Sequence, residues 1–432
     1  MVYVLDITGS PLMPTERHGK VRRMLRDGKA KVVKKNPFTI QLKYETTNYT
    51  QPITLGVDSG SKHIGLSAST KKKELYVADV QLRTDIVDKI SSRREARKTR
   101  RNRKTRYRKV RFQNRIKSKH KGWLAPSVEQ KIQCHLKQVE DVHKILPVRK
   151  IVIETASFDL QKIQNPDIHG VEYQHGPQFG FWNVREYILF RDNHTCQHCH
   201  GKKKDPILNV HHIESRKTGG DSPNNLITLC ETCHKKYHSL SSEEQKMWKL
   251  KRGRSLKDAS FMGVMRRTFY ERLKEMYPKI EVQQTFGYIT KNNRIRLGLK
   301  KEHYNDAYCI AGNFDARPLT SVLFKKKVRR HNRQIHKFNT VKGGKRKLNQ
   351  TPYLVKGFRL FDKVEYQEQE CFISGRRASG SFSLKTFDWE KVSDGVTFKK
   401  LKLLEKRSGY ITARKERAFL QRLKPLVSSP EK

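Results

Sequence analysis

Short apolar runs with period-two alternation occupy residues 2–7, 30–33 and 38–44, separated by turn signals at Gly9, Pro11 and Pro37 and by a basic, helix-like stretch at 20–26. This pattern predicts a small α+β domain over residues 1–50. Residues 53–57 then form an apolar strand that leads into Asp58, and 64–68 can return beside it after a Ser-Gly-Ser turn, with a third strand at 76–81. After Pro126, Ser127 and Gln130 make a capping-box pair, and Val128, Ile132, Leu136, Val139, Val142 and Leu146 recur at helical spacing. The segment KIVIE at 150–154 predicts a buried strand. The periodicity lapses over about 156–260, a polar tract rich in Gly, His and Cys. It resumes with Met265, Phe269, Leu273 and Met276 on one helix face, a strand at 280–284 and a helix over 303–311. The tract between therefore reads as an insertion into one α/β domain. From about 320 onward, alternating runs at 358–366, 371–373 and 380–384 predict a small β-rich module.

Charge turns this outline from a generic α/β protein into a partner for a polyanion. Lys and Arg number 93 against 42 Asp and Glu, a net charge of +51, and a compact fold would repel itself unless that charge were neutralised. Hydrophobic residues still make up 35% of the chain, which excludes a disordered basic tail. With no apolar run of about 18 residues, no signal peptide and no lipidation motif, nucleic acid is the expected sink and a soluble, cytoplasmic protein is expected. The extreme segment is 93–121, with 16 Lys or Arg and a single acid, Glu95. Like charges one turn apart oppose a helix there, so phosphates would supply its order. Interleaved Tyr107, Val110, Phe112 and Ile116 argue against a merely solvated charge run.

Of seven cysteines, Cys134, Cys309 and Cys371 stand apart, while Cys196, Cys199, Cys230 and Cys233 form two CxxC pairs. Four thiolates at that spacing suit tetrahedral Zn2+, and a closed sulfur shell makes the ion structural. Such a finger does not need His211, His212, Asn225, His234 or His238 to fold. With them, the stretch resembles the HNH (ββα-metal) nucleases. The resemblance implies that His212 is the general base, His211 a divalent-metal ligand, Asn225 the residue that orients the base, and His234 and His238 further ligands. Spacing alone leaves the roles of His211 and His212 interchangeable. The competing reading is a DNA-binding zinc ribbon with incidental histidines.

Asp58, Glu154 and Asp306, with His303 one turn before the last, lie in the contexts LGVDSGSKHIG, IVIETASFD and HYNDAYCIA. Singly, acids at strand ends are common. Together these contexts resemble the signature segments of RuvC/RNase H-type nucleases, which implies that the three carboxylates hold Mg2+ or Mn2+ and that His303 serves as an added ligand or proton carrier.

In chain order stand Pro11-Leu12-Met13-Pro14, the Asp58 segment, the arginine-rich stretch, the Glu154 segment, the HNH-like insertion, the Asp306 segment and a basic tail. This order is similar to that of the IscB family, transposon-encoded relatives of the RNA-guided CRISPR effector nucleases. The resemblance implies an α/β fold with an RNase H-like (RuvC) core and an inserted ββα-metal HNH domain. Its parts would be an N-terminal PLMP domain (1–50), RuvC-like segments (51–92, 122–160 and 261–320), a bridge helix (93–121), the HNH domain with its zinc finger (161–260) and a basic C-terminal module for RNA or flanking-motif contact (321–432). It further implies a guide RNA (omega RNA), gripped by Arg93, Arg94, Arg97, Arg100, Arg101, Arg103, Arg106, Arg108 and Arg111, and a double-stranded DNA target beside a short flanking motif, with one protein per guide. The HNH site would cut the guide-paired strand and the RuvC site the displaced strand. Two further readings compete: a protein-only HNH endonuclease of the homing type with the RuvC-like part as scaffold, and a non-catalytic RNA-binding protein that stabilises a transposon transcript.

Overall fold

The structure, a computed structural model, describes residues 1–102, 123–155, 178, 180–215, 220–248, 250, 253, 257–329 and 351–417. Two units are distinguished, one of residues 1–156 with 262–432 and one of 157–261. Among the described residues no helix is long and apolar enough to cross a membrane.

The first unit begins with a small α+β element. Strands β1 (Tyr3–Leu5), β2 (Ala30–Lys34) and β3 (Thr39–Leu42) form a sheet in the order β1-β3-β2, and helix α1 (His18–Arg26) joins it through Val21, which packs with Val2, Val4, Ile40 and Leu42. The Tyr3 hydroxyl donates to the Leu75 carbonyl at 2.9 Å and ties this element to the main sheet.

That main sheet has seven strands. β4 (Ile53–Ser59), β5 (His63–Ser69) and β6 (Glu74–Gln81) run antiparallel in sequence, as short turns between successive strands dictate. β7 (Val148–Glu154) and β10 (Glu281–Thr285) add in parallel on the β4 side, and β11 (Ser321–Lys327) and β17 (Tyr410–Glu416) extend the β6 side. The central strands are buried almost throughout, which is why they read as continuous apolar runs: both faces are covered. Phe324 of β11 meets Tyr304 of helix α9 (His303–Ala311), ring centroids 6.0 Å apart, while the next side chain, Lys325, donates to Gln138 of helix α3 (Pro126–His143) at 3.1 Å. Successive side chains leave opposite faces of a strand, so α9 and α3 cover opposite faces.

Two glycines set the seat of α9. A Cβ at Gly56 would collide with the Ala307 carbonyl, and one at Gly65 with the His303 carbonyl. The backbone of α9 thus lies directly on β4 and β5, closer than any side chain would permit.

The C-terminal half differs from the expected boundary at 321. Ser321–Lys327 and Tyr410–Glu416 belong to the main sheet, and the separate β module lies between them. The module is an antiparallel sheet ordered β15-β14-β13-β12-β16, built from β12 (Lys363–Tyr366), β13 (Gln369–Arg376), β14 (Ser381–Lys385), β15 (Lys391–Thr397) and β16 (Lys402–Glu405), around Val364, Ile373, Phe382 and Leu384. The reason is pairing: β11 offers its edge to β6 on one side and to β17 on the other. Arg417 just past β17 is fully buried against Glu74 of β6, and its Nε donates to Asn305 of α9 at 2.9 Å.

Of the expected bridge, helix α2 (Ile86–Asn102) carries Arg93, Arg94, Arg97, Arg100 and Arg101, the first three exposed. Arg103, Arg106, Arg108 and Arg111 lie outside the described residues.

The second unit is built on a hairpin of β8 (Leu208–His212) and β9 (Leu226–Cys230), followed without a break by helix α5 (Glu231–Ser239). Helix α4 (Val184–Arg191) precedes it, capped by Asn183, whose side chain accepts from Glu186 N at 2.9 Å. Helix α6 (Ser242–Met247) begins with a full capping box between Ser241 and Glu244.

Candidate metal and nuclease centres

In the second unit the four paired cysteines meet. The Sγ atoms of Cys196, Cys199, Cys230 and Cys233 all lie within 4.8 Å of one another, with Cys199 and Cys230 at 3.8 Å. Leu229 is buried with them, and Leu208 and Trp248 pack alongside. Burial opposes ionisation of Cys199, yet hydrogen bonds from the Lys203 backbone and the other thiols bring it down to about 7; burial and the neighbouring sulfurs push Cys233 up. Four mostly buried sulfurs with this spacing suit a structural zinc ion.

A second cluster lies on the same scaffold. His211 near the end of β8 faces His234 and His238, one turn apart on α5, with the ligating nitrogens of all three within 4.8 Å. His234 Nε2 and His238 Nε2 are 3.2 Å apart. His211 is buried and its Nε2 has no hydrogen-bond partner among the described residues. Burial, then the other imidazoles, hold it down to about 4, so the ring is neutral near pH 7. A buried, partnerless imidazole nitrogen facing two more is the donor set a divalent cation would complete.

His212 follows on the opposite face of β8 and stays out of that cluster. Its Nε2 is 2.9 Å from Asp221 Oδ1. Asn225 is fully buried. Its side chain accepts from Glu214 N and donates to the carbonyls of Glu214 and Gly220, each at 2.9 Å, tying those two residues together. Asn225 thereby holds Gly220, the residue before Asp221. Asp221 is absent from the residues expected from sequence; its one signal is its place after Gly219 and Gly220, between His212 and Asn225.

In the first unit, β4 and β7 run parallel in the register Val57↔Ile153, so Asp58 and Glu154 leave neighbouring strands on the same face. The Ser59 hydroxyl donates to the Glu154 carbonyl at 3.2 Å. Helix α9 brings the other two groups: His303 Nδ1 is 2.6 Å from Asp58 Oδ2, and Asp306 lies one turn further on. Four residues separated by up to 248 positions in sequence thus converge at one end of the sheet.

Their charges are mutually costly. Burial raises Asp306 to about 6, aided by Asp58, and burial raises Glu154 likewise, with Asp58 adding to it. The hydrogen bond with Asp58 raises His303. Two arginines offset the acids. Arg266 of helix α7 (Lys257–Met276) lies 3.4 Å from Glu154, and Arg294 of helix α8 (Gly287–Arg296) lies 2.8 Å from Asp306 without hydrogen-bond alignment. His63 stacks on His303 at 5.1 Å and is itself 2.9 Å from Asp79. Carboxylates held together at this cost suit hard divalent cations, although their oxygens stand further apart than the donors of the other two clusters.

Residues 2–176 match the family described as RRXRR protein, and residues 196–240 match the HNH endonuclease family. Crystal structures of Streptococcus thermophilus Cas9 in complex with the AGAA PAM and with the AGGA PAM align over 49% and 60% of this chain. Identity is 15% and 14%, and the TM-scores are 0.32 and 0.33. The aligned parts cover 30% and 32% of those chains, so this chain spans about a third of their length. A comparison with curated proteins finds no match.

Proposed function

We propose that the chain, which matches the RRXRR and HNH endonuclease families over residues 2–176 and 196–240, is an IscB-like DNA endonuclease that cuts both strands of a duplex under the direction of a guide RNA, one strand at the histidine centre and the other at the carboxylate centre. The observation that carries this reading is the gathering, within each of two units, of a ligand-type cluster that folding alone does not require. The carboxylate centre is read as RuvC-like because the acids of the three resembling contexts, two on parallel strands and one on a helix, converge.

At the histidine centre His211, His234 and His238 would hold a divalent ion, and Asp58, Glu154 and Asp306 would hold magnesium or manganese at the other. Such ions stabilise charge on the oxygens of the phosphodiester. The protein's own groups do the rest. His212 gives its Nε2 hydrogen to Asp221, which leaves Nδ1 as the basic nitrogen that takes a proton from water. His211, held neutral by burial, keeps a lone pair for the ion. At the second centre His303, bonded to Asp58, is placed to carry a proton.

The cations of α2 and the net charge of +51 fit a guide RNA and its heteroduplex as partner, since counterion release along many phosphates favours a basic surface. Base pairing would then select the site, and the protein would read a short flanking motif. The test is guide dependence. Protein stripped of its copurified RNA should lose site-directed cleavage and regain it when RNA from the native locus is added back. Cleavage of equal rate and position without RNA would overturn the proposal.

A further inference from the structure

Helix α8 closes the carboxylate centre with one face and turns another to solvent. Toward the acids it presents Gly287, Thr290 and Arg294, spaced by three and four. A Cβ at Gly287 would stand 3.2 Å from Glu154 Oε1, Thr290 is buried, and Arg294 reaches Asp306. The outward positions are the opposite of what packing asks of a helix. Tyr288 and Ile295 are 66% and 60% exposed, and Phe286, the residue leading into the helix, is 54% exposed. The Phe286 and Tyr288 rings lie near-parallel, at 16°, with centroids 6.0 Å apart. The helix contains Lys291, Arg294 and Arg296 and no acid.

Exposed parallel rings beside cations are what unpaired nucleotides bind: bases lie on the rings and phosphates on the cations. A duplex keeps its base faces stacked inside and offers rings nothing. A protein partner fits less well, because protein interfaces deplete lysine at the core, whereas here Lys291 and Arg296 are exposed on a helix without an acid. Thr285, just before Phe286, is the register neighbour of Glu154 across β10 and β7, so the platform begins one residue from the backbone that faces that acid. We infer that Phe286 and Tyr288 form a stacking platform that positions unpaired bases of the strand cut at the carboxylate centre. The inference rests on the reading of Asp58, Glu154 and Asp306 as a nuclease centre.

The test uses full-length protein with the RNA it carries, in EDTA and at salt high enough to screen general attraction. The probes are a labelled oligothymidylate single strand, a duplex of equal length, and a single strand bearing 5-iododeoxyuridine for photocrosslinking. The double variant Phe286→Ala, Tyr288→Ala should bind the single strand about tenfold or more weaker, with duplex binding and melting temperature unchanged. The exchange Phe286→Tyr, Tyr288→Phe should restore binding, and crosslinks should map to residues 286 and 288. Unchanged single-strand affinity in the alanine variant, or crosslinks confined elsewhere, would overturn the inference. Nicking of a single strand in Mg2+ by Asp58→Ala separates the two failures. Persistent nicking there removes the nuclease reading of the acids, whereas loss of nicking with unaltered binding in the alanine variant removes the platform alone.

Discussion

Gly65 decides how near Asp306 and His303 stand to Asp58. Any Cβ there meets the His303 carbonyl, a backbone atom that cannot rotate aside, so α9 must lift from the sheet. Overpacking of this kind costs about 1–3 kcal/mol. Gly65→Ala should lower the melting temperature and also abolish cleavage at the carboxylate centre while the histidine centre still nicks. A variant that melts lower but nicks both strands normally would show that the seat of α9 is not critical. His143 on α3 gives a pH signature away from either centre. It stacks on Tyr277 at 4.3 Å, its Nε2 has no hydrogen-bond partner among the described residues, and burial lowers its pKa to about 4. An unfolded histidine titrates near 6.5, so the unfolded chain binds the proton first. Stability is therefore full above about pH 6.5 and falls as pH drops toward 4, where the native ring protonates as well. His143→Phe should flatten that fall in a series of melting curves; an equal slope in both proteins would assign the pH response to other groups.

Elements were legible where their period was clean. β4, β5 and β6 coincide with the apolar runs at 53–57, 64–68 and 76–81, and α9 with the helix expected over 303–311. β11 was not, because SVLFKKK reads as a basic tail; Lys325 is nonetheless buried, bonded to Gln138 and lowered to about 8 by that burial. α8 has no readable period for the inverse reason: its apolar side chains face solvent while Gly287, Thr290 and Arg294 face the acids. The zinc cysteines were visible from spacing alone, but the division of His211 and His212 between two faces of β8 needed the hairpin. That hairpin has two strands, too few to be stable unaided. Metal binding and folding should thus be one event in the second unit. Cys199→Ser should release zinc on elemental analysis and make residues 157–261 sensitive to protease, while nicking at the carboxylate centre persists. Retained zinc with an intact protease pattern would contradict a structural role for the sulfurs.

Across the molecule, the candidate ligand side chains are divided between a sheet that carries acids and a second unit that carries histidines, under a net charge of +51. The α/β character follows from the periodicity of the apolar runs, and the side chains that meet in each cluster stand in short local contexts that can be read along the chain. The loop geometry of Asn225 and Asp221 could not, since it depends on which backbone groups a buried amide happens to meet. If the two centres act separately, each must answer to its own residues on its own strand. Cleavage of a guide-matched duplex labelled differently on each strand, by wild type, Asp58→Ala and His212→Ala in Mg2+, measures this directly. Wild type should cut both strands, Asp58→Ala only the guide-paired strand and His212→Ala only the displaced strand. Both strands cut by Asp58→Ala, or neither cut by either single variant, would contradict two independent centres.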